Sequence, residues 1–121
     1  MSNPGTYFEI PVTDFERAVN FYEAVFLCDL QIQNIDGNQM AVFPGSPKSP
    51  GIIGALAMGS SYKPSMDGSR IYLHTENIDE TLHLVVANGG RVEYPKTSIG
   101  ELGWVAEFID TEGNRIALHS L

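Results

Sequence analysis

The sequence predicts an α+β fold built from two tandem βαβββ modules. Three observations predict it: an internal repeat, two amphipathic helices with marked starts, and three strand candidates after each helix. Residues 7–25 (YFEIPVTDFERAVNFYEAV) match residues 70–88 (RIYLHTENIDETLHLVVAN) at a shift of 63 positions. Identity is low, but the pattern carries across. Each copy opens on a β-like run, residues 7–12 and 70–75, followed by an acidic or amide residue, Asp14 or Asn77, and then an apolar one, Phe15 or Ile78. One βαβ pattern arises easily by chance; two in register, each followed by three strands, do not.

The helices follow from spacing. Phe15, Ala18, Val19, Tyr22 and Phe26 share one face at a 3.6-residue period. Ile78, Leu82 and Val85 do the same in the second copy, with Val86 at the edge of that face. Thr13 with Glu16 three residues on fits a capping box, and Asn77 with Glu80 is its counterpart. The first helix is lost around Cys28 and Asp29. The second stops at Asn88, Gly89 and Gly90, where positive φ is easily reached.

The strand candidates are residues 30–35, 39–43 and 52–58 in the first copy, and 91–96, 103–110 and 115–120 in the second. Asp36-Gly37-Asn38 and Thr111-Glu112-Gly113-Asn114 read as hairpin turns. Residues 44–51 and 60–69 are rich in Ser, Pro and Gly and read as loops. The expected organisation is one domain over residues 1–121, with module one at about 5–59, a linker at about 60–69 and module two at about 70–121.

Composition narrows the function classes. The 121 residues are 43% hydrophobic, enough for one real core. The net charge is −8 and the seven Lys and Arg are scattered, so nucleic acid is not an expected partner. Cys28 is the one cysteine and cannot close an intrachain disulfide, which fits a reducing compartment. Cys28 follows an apolar stretch and reads as a buried small hydrophobe rather than a nucleophile. The first residues lack a charged and then apolar leader pattern, and no apolar run approaches the ~20 residues of a membrane span. The expectation is a cytoplasmic protein without a membrane partner. No phosphate-cradling loop, nucleophile elbow or Cys-rich metal motif is present.

The run EIPVTDFERAVNFYEAVF (residues 9–26) resembles the opening strand and helix of the vicinal oxygen chelate superfamily, which includes lactoylglutathione lyases, bleomycin-resistance proteins and extradiol dioxygenases. The run FIDTEGNRIAL (residues 108–118) resembles that superfamily's closing hairpin, with Thr111 where Pro is usual. The resemblance spans about residues 7–119. It implies that the modules form a curled mixed sheet around a cavity and that the chain is a homodimer. It implies too that, in metal-dependent members, four inward side chains from the first and last strands of each module hold a divalent ion acting as a Lewis acid. Aligned on Asp14 and Asn77, those four positions fall on Tyr7, Ala55, Arg70 and Ala117. Alanine has no donor atom and a guanidinium repels a cation, so no metal is predicted there and no cofactor is predicted.

Strand alternation shows which polar residues share the inward direction. Glu9 goes with Tyr7, Tyr72 and His74 go with Arg70, and His119 goes with Ala117. Three readings follow. In the first, Glu9 and His119 are a catalytic acid–base pair of a lyase or isomerase acting on a small oxygenated metabolite. In the second, the same groups with Tyr7, Arg70, Tyr72, His74 and Trp104 bind a small molecule without turnover, Arg70 suiting a carboxylate or phosphate. In the third, Glu9, His74 and His119 form a displaced metal site of a lyase or dioxygenase. Beside these stands a purely structural role for a buried carboxylate–imidazole pair. Trp104 and Phe108 read as lining core or pocket, and residues 101–103 as a loop over the cavity mouth.

Overall fold

The predicted strands pair into two sheets, each with one face turned to the helices. The computed structural model describes residues 3–46, 48 and 51–121. Its elements are β1 (Tyr7–Pro11), α1 (Phe15–Phe26), β2 (Gln31–Ile35), β3 (Asn38–Val42), β4 (Ile53–Met58), β5 (Tyr72–His74), α2 (Ile78–Ala87), β6 (Arg91–Ser98), a 3₁₀ turn at Gly100–Leu102, β7 (Trp104–Ile109) and β8 (Arg115–Ser120). The fold is α+β, with two four-stranded mixed sheets in the orders β1-β4-β3-β2 and β5-β8-β7-β6. In both, the first strand runs parallel to the fourth and the other pairs are antiparallel. The same order twice is the structural image of the sequence repeat, and neither sheet is closed.

Local chemistry sets the element ends, with two departures from expectation. The cap of α1 is Asp14 rather than Thr13: Asp14 is extended and its carboxylate accepts the Arg17 N–H at 3.1 Å. Thr13 is unavailable because its N–H and hydroxyl both reach Glu112, at 2.9 and 3.2 Å. Asn77 caps α2 as expected, accepting from the Glu80 N–H at 3.0 Å. The β2–β3 turn is one residue shorter than expected. Ile35 pairs with Asn38, so only Asp36 and Gly37 lie between, with φ of 54° and 78°. Two consecutive positive φ values match the type I′ hairpin whose twist suits a sheet. The loop expected over residues 44–51 includes residues 47, 49 and 50, which lie outside the described residues.

The core is shared. Phe8 and Ile10 of β1, Ala41 of β3, Leu56 of β4, Ala106 and Phe108 of β7, and Ile116 and Leu118 of β8 face both helices in one cluster. Phe21 and Phe26 of α1 lie 6.0 and 6.5 Å from the Phe108 ring, so the first module's helix packs on the second module's sheet. Each such ring adds ~1.5–3 kcal/mol on burial, enough to fix the two modules against each other. The other faces carry the alternate residues: Tyr7, Glu9, Ala55 and Ala57 on the first sheet, and Tyr72, His74, Ala117, His119 and Glu107 on the second. No helix among the described residues is long and apolar enough to cross a membrane.

Candidate functional site

β1 turns Tyr7 and Glu9 to the side away from the helices, with Glu9 opposite Ala55 of β4. The small alanine leaves space, and two phenols fill its edge. The Tyr7 hydroxyl donates to Glu9 Oε2 at 3.0 Å, and the Tyr62 hydroxyl donates to Oε1 at 2.8 Å. Tyr62 belongs to the segment after β4, which folds back through its N–H on the Gly59 carbonyl at 3.1 Å. Partial burial, with the Glu9 hydrogen bond and charge, pushes the Tyr7 phenol up to about 12. The hydrogen bond to Glu9, ahead of burial and charge, raises the Tyr62 phenol too. Both phenols therefore stay protonated and donate to the carboxylate.

The second sheet carries a different charge cluster. Glu107 is 7% exposed in the middle of β7, opposite Ala117 of β8 and Tyr94 of β6. Arg70 Nη1 donates to its Oε2 at 3.0 Å, while Arg115 Nε and Nη2 converge on Oε1 at 2.6 and 2.5 Å. Arg115 also lies 3.9 Å from Glu93. A buried carboxylate is costly unless paired, and here two guanidiniums hold it.

A cleft of about 200 Å³ separates the modules, with Glu9 and Pro11 of β1 on one side and Asn114 and Arg115 at the start of β8 on the other. Ile10, Ile71 and Ile116 line it with apolar surface, and residues of the 63–69 segment form its rim. Asn114 fastens the walls, donating from Nδ2 to the Pro11 carbonyl at 2.7 Å and accepting the Ser65 N–H at 3.1 Å.

The sequence-derived site residues separate into groups. Tyr7 and Glu9 meet, whereas Arg70 is bound to Glu107. Tyr72 is exposed beside Ala117. His74 is exposed, paired across the strands with His119, and borders a different groove with Phe26, Leu27 and Glu80. His119 Nε2 lies 2.6 Å from the Leu102 carbonyl. A carbonyl oxygen only accepts, so Nε2 carries the proton. Among the described residues no hydrogen bond joins Glu9 to His119, and no three His, Cys, Asp or Glu side chains converge as an ion would need, Glu9, His74 and His119 included. Trp104 sits away from the cleft. Alternation puts it on the face of Ala106 and Phe108, where the Lys96 ammonium lies 4.9 Å from its ring centroid.

Sequence reasoning missed Tyr62, Lys63, Glu107 and Arg115. The first two sit in a segment without periodicity. Glu107 carried a signal: one acid inside an otherwise apolar β7, WVAEFI, needs a buried partner. Arg115 lies two residues before Ala117 and so shares its face.

No protein-family model matches the chain. It is 30% identical over 118 residues to a glyoxylase-like domain-containing protein of Didymella fabae, covering 91% of this chain and 88% of that protein. Its fold matches a glyoxalase/bleomycin resistance protein from Streptomyces sp. CB03234, 24% identical with a TM-score of 0.68 over 96% of this chain and 99% of that one. It also matches a mutant of glyoxalase I from Zea mays, 16% identical with a TM-score of 0.70 over 97% of this chain. That alignment covers 46% of the maize chain, so the present chain spans less than half of its length. The repeat, the doubled sheet order and the relative that matches over nine-tenths of the sequence agree: the chain belongs to the glyoxalase-like family of the vicinal oxygen chelate superfamily.

Proposed function

We propose that this protein binds a small oxygenated metabolite in the cleft between its modules, with Glu9 as the polar anchor. The observation that carries the reading is the Glu9 carboxylate, held by two phenols at 3.0 and 2.8 Å on one wall of a cleft whose other wall presents Arg115. Each carboxylate oxygen accepts one phenol and keeps a lone pair for a ligand donor, and the phenol oxygens can themselves accept. The isoleucine lining displaces water from the apolar part of a ligand.

The positions that the superfamily uses for an ion do not fit one in this chain. Ala55 and Ala117 are fully buried and have no donor atom, and the Arg70 guanidinium is committed to Glu107. Purified protein, incubated with a panel of hydroxy, oxo and amino acids, is expected to gain thermal stability with at least one compound. Glu9→Gln should weaken that binding about tenfold, the equivalent of ~1.4 kcal/mol. Equal affinity of parent and variant for every compound that binds would remove Glu9 from the site.

One observation favours a second reading, a lyase or isomerase using Glu9 and His119. The backbone carbonyl of Leu102 fixes the imidazole with Nε2 protonated, the manner in which a working histidine is oriented. Consumption of the stabilising compound, followed by mass spectrometry, separates turnover from binding. We also propose a homodimer, since the edge strands β2 and β6 are largely exposed and Tyr7, Tyr72 and Tyr94 leave aromatic surface uncovered. A single light-scattering mass for the monomer at micromolar concentration would oppose it. The free, half-buried Cys28 thiol suits a reducing cytoplasm.

A further inference from the structure

The charges around the cleft are mixed, and their placement restricts the ligand. On the rim, Lys63 and Asp67 both line the cleft from one exposed segment. Among the described residues neither the Lys63 ammonium nor the Asp67 carboxylate has a hydrogen bond or an ion pair, and the two do not pair with each other although four positions apart. The segment itself is pinned, with the Ser65 N–H on Asn114 Oδ1 at 3.1 Å and the Asp67 N–H on Ser65 Oγ at 2.9 Å. On the walls, Glu9 and Arg115 repeat the opposition of sign. Among the described residues the cleft thus holds one unpaired cation, Lys63, the partly committed guanidinium of Arg115, which Glu107 already holds, and two anionic groups, Glu9 and Asp67, over an apolar lining of isoleucines.

A ligand bearing only a carboxylate would satisfy Lys63 and meet repulsion from Glu9 and Asp67. A ligand bearing only an ammonium would meet the reverse. Two opposite charges on one small molecule satisfy both sets, and the isoleucines accommodate a short hydrocarbon tail. The volume of about 200 Å³ falls below the ~300–1,000 Å³ of drug-sized pockets.

We propose that the cleft takes a small zwitterion, an α-amino acid with a short apolar side chain, its carboxylate on Lys63 and the outer edge of Arg115 and its ammonium on Glu9 and Asp67. This rests on the reading of the cleft as the ligand site and names the class of ligand for it.

The test uses the whole chain and four probes that share the leucine side chain: L-leucine, 2-hydroxy-4-methylpentanoate, 4-methyl-2-oxopentanoate and 3-methylbutylamine. Binding is followed by calorimetry and by backbone amide shifts. L-leucine is expected to bind at least about tenfold more tightly than any of the singly charged probes and to shift the amides of Ile71, Asn114 and Ile116. Lys63→Gln and Asp67→Asn, both at exposed loop positions, should each abolish that preference and leave the melting temperature unchanged. A singly charged acid or amine that binds the same amides as tightly as L-leucine overturns the zwitterion and leaves the cleft as the site. If no probe shifts the cleft amides, both the zwitterion and the assignment of the cleft fall.

Discussion

Arg17 Nε donates to Glu112 Oε2 at 2.8 Å, and through that contact the last turn of the second module holds the first helix of the first. The other oxygen, Oε1, accepts the N–H groups of Thr13 and Asp14 at 2.9 and 2.8 Å. Glu112 therefore sits at the N-terminal end of α1, where a helix favours negative charge. Enclosure by itself would raise its pKa. The bonds from Arg17, Asp14, Thr13 and Thr111 outweigh that and bring it from an ordinary 4.5 down to about 2.

The first prediction concerns acid stability. A carboxylate with a depressed folded pKa contributes stability above its unfolded value and loses it as pH falls toward the folded one. For Glu112 the window runs from about 4.5 down to about 2, and the contribution is on the order of 2–3 kcal/mol. Glu112→Gln should be less stable than the parent at pH 7, with most of that gap lost at pH 2.5 and the remainder lost only below the folded value of about 2. Urea midpoints at pH 7, 4.5 and 2.5 measure the gap, and a gap constant with pH would dismiss the clamp.

The second prediction concerns the bond beneath that clamp. The Tyr22 hydroxyl, fully buried, donates to Asp110 Oδ2 at 2.6 Å. Burial, and then the Asp110 charge, pushes the Tyr22 phenol well above its usual range, so it remains a donor throughout folding conditions. Asp110 also accepts the N–H groups of Glu112 and Asn114 at 2.8 and 2.9 Å and the Asn114 side-chain amide at 3.0 Å. Tyr22→Phe should cost about 1.5–3 kcal/mol, the usual value of a bond to a charged group. Asp110→Ala orphans four donors and should cost more. Guanidinium denaturation of the two variants checks the order, and a costlier Tyr22→Phe would contradict it.

The architecture was legible because periodicity is a local signal. The 3.6-residue spacing of Phe15, Ala18, Val19 and Tyr22 and the repeat at 63 positions are written along the chain, and α1, α2 and the two sheets follow them. The site was legible only in direction. Alternation correctly sets Glu9 with Tyr7, because strand geometry is regular. It could not show that Tyr62 folds back on Glu9, since a loop without periodicity carries no direction. Nor could it show that Glu112 accepts the N–H of Thr13, 99 residues away, just ahead of the helix that Asp14 caps, a pairing set by the packing of one module on the other. Trp104 lies on the Ala106 and Phe108 face of β7, and no sequence signal ties that face to the cleft beside Glu9.

The third prediction tests the loop that carries the His119 partner. Gly103 has φ of 103°, and a Cβ there would overlap the Ser120 carbonyl. A side chain is excluded both by conformation and by space. Gly103→Ala must displace the turn at Gly100–Leu102, and with it the Leu102 carbonyl that accepts from His119 Nε2. The expected cost is about 1–3 kcal/mol, with a changed His119 imidazole resonance by NMR. An unaltered His119 spectrum in a folded Gly103→Ala variant would mean that the loop does not orient the ring.

The fourth prediction separates the two guanidiniums on Glu107. Removing Arg70 leaves both N–H groups of Arg115 on Oε1, so the buried carboxylate keeps a charged partner. Arg70→Ala should cost about 1 kcal/mol, close to the value of a half-exposed pair. Removing Arg115 takes away the two shorter contacts and the bridge to Glu93, and Arg70 alone then faces a carboxyl side chain that is 9% exposed. Arg115→Ala should cost about 3 kcal/mol, most of it the penalty of a buried charge left short of partners. The discriminating variant is Glu107→Gln in the Arg115→Ala background. If the loss arises from the uncompensated carboxylate, neutralising it recovers a large part of the stability. If it arises from lost packing of the arginine stem, Glu107→Gln recovers nothing. Thermal denaturation of the three variants decides between charge and packing.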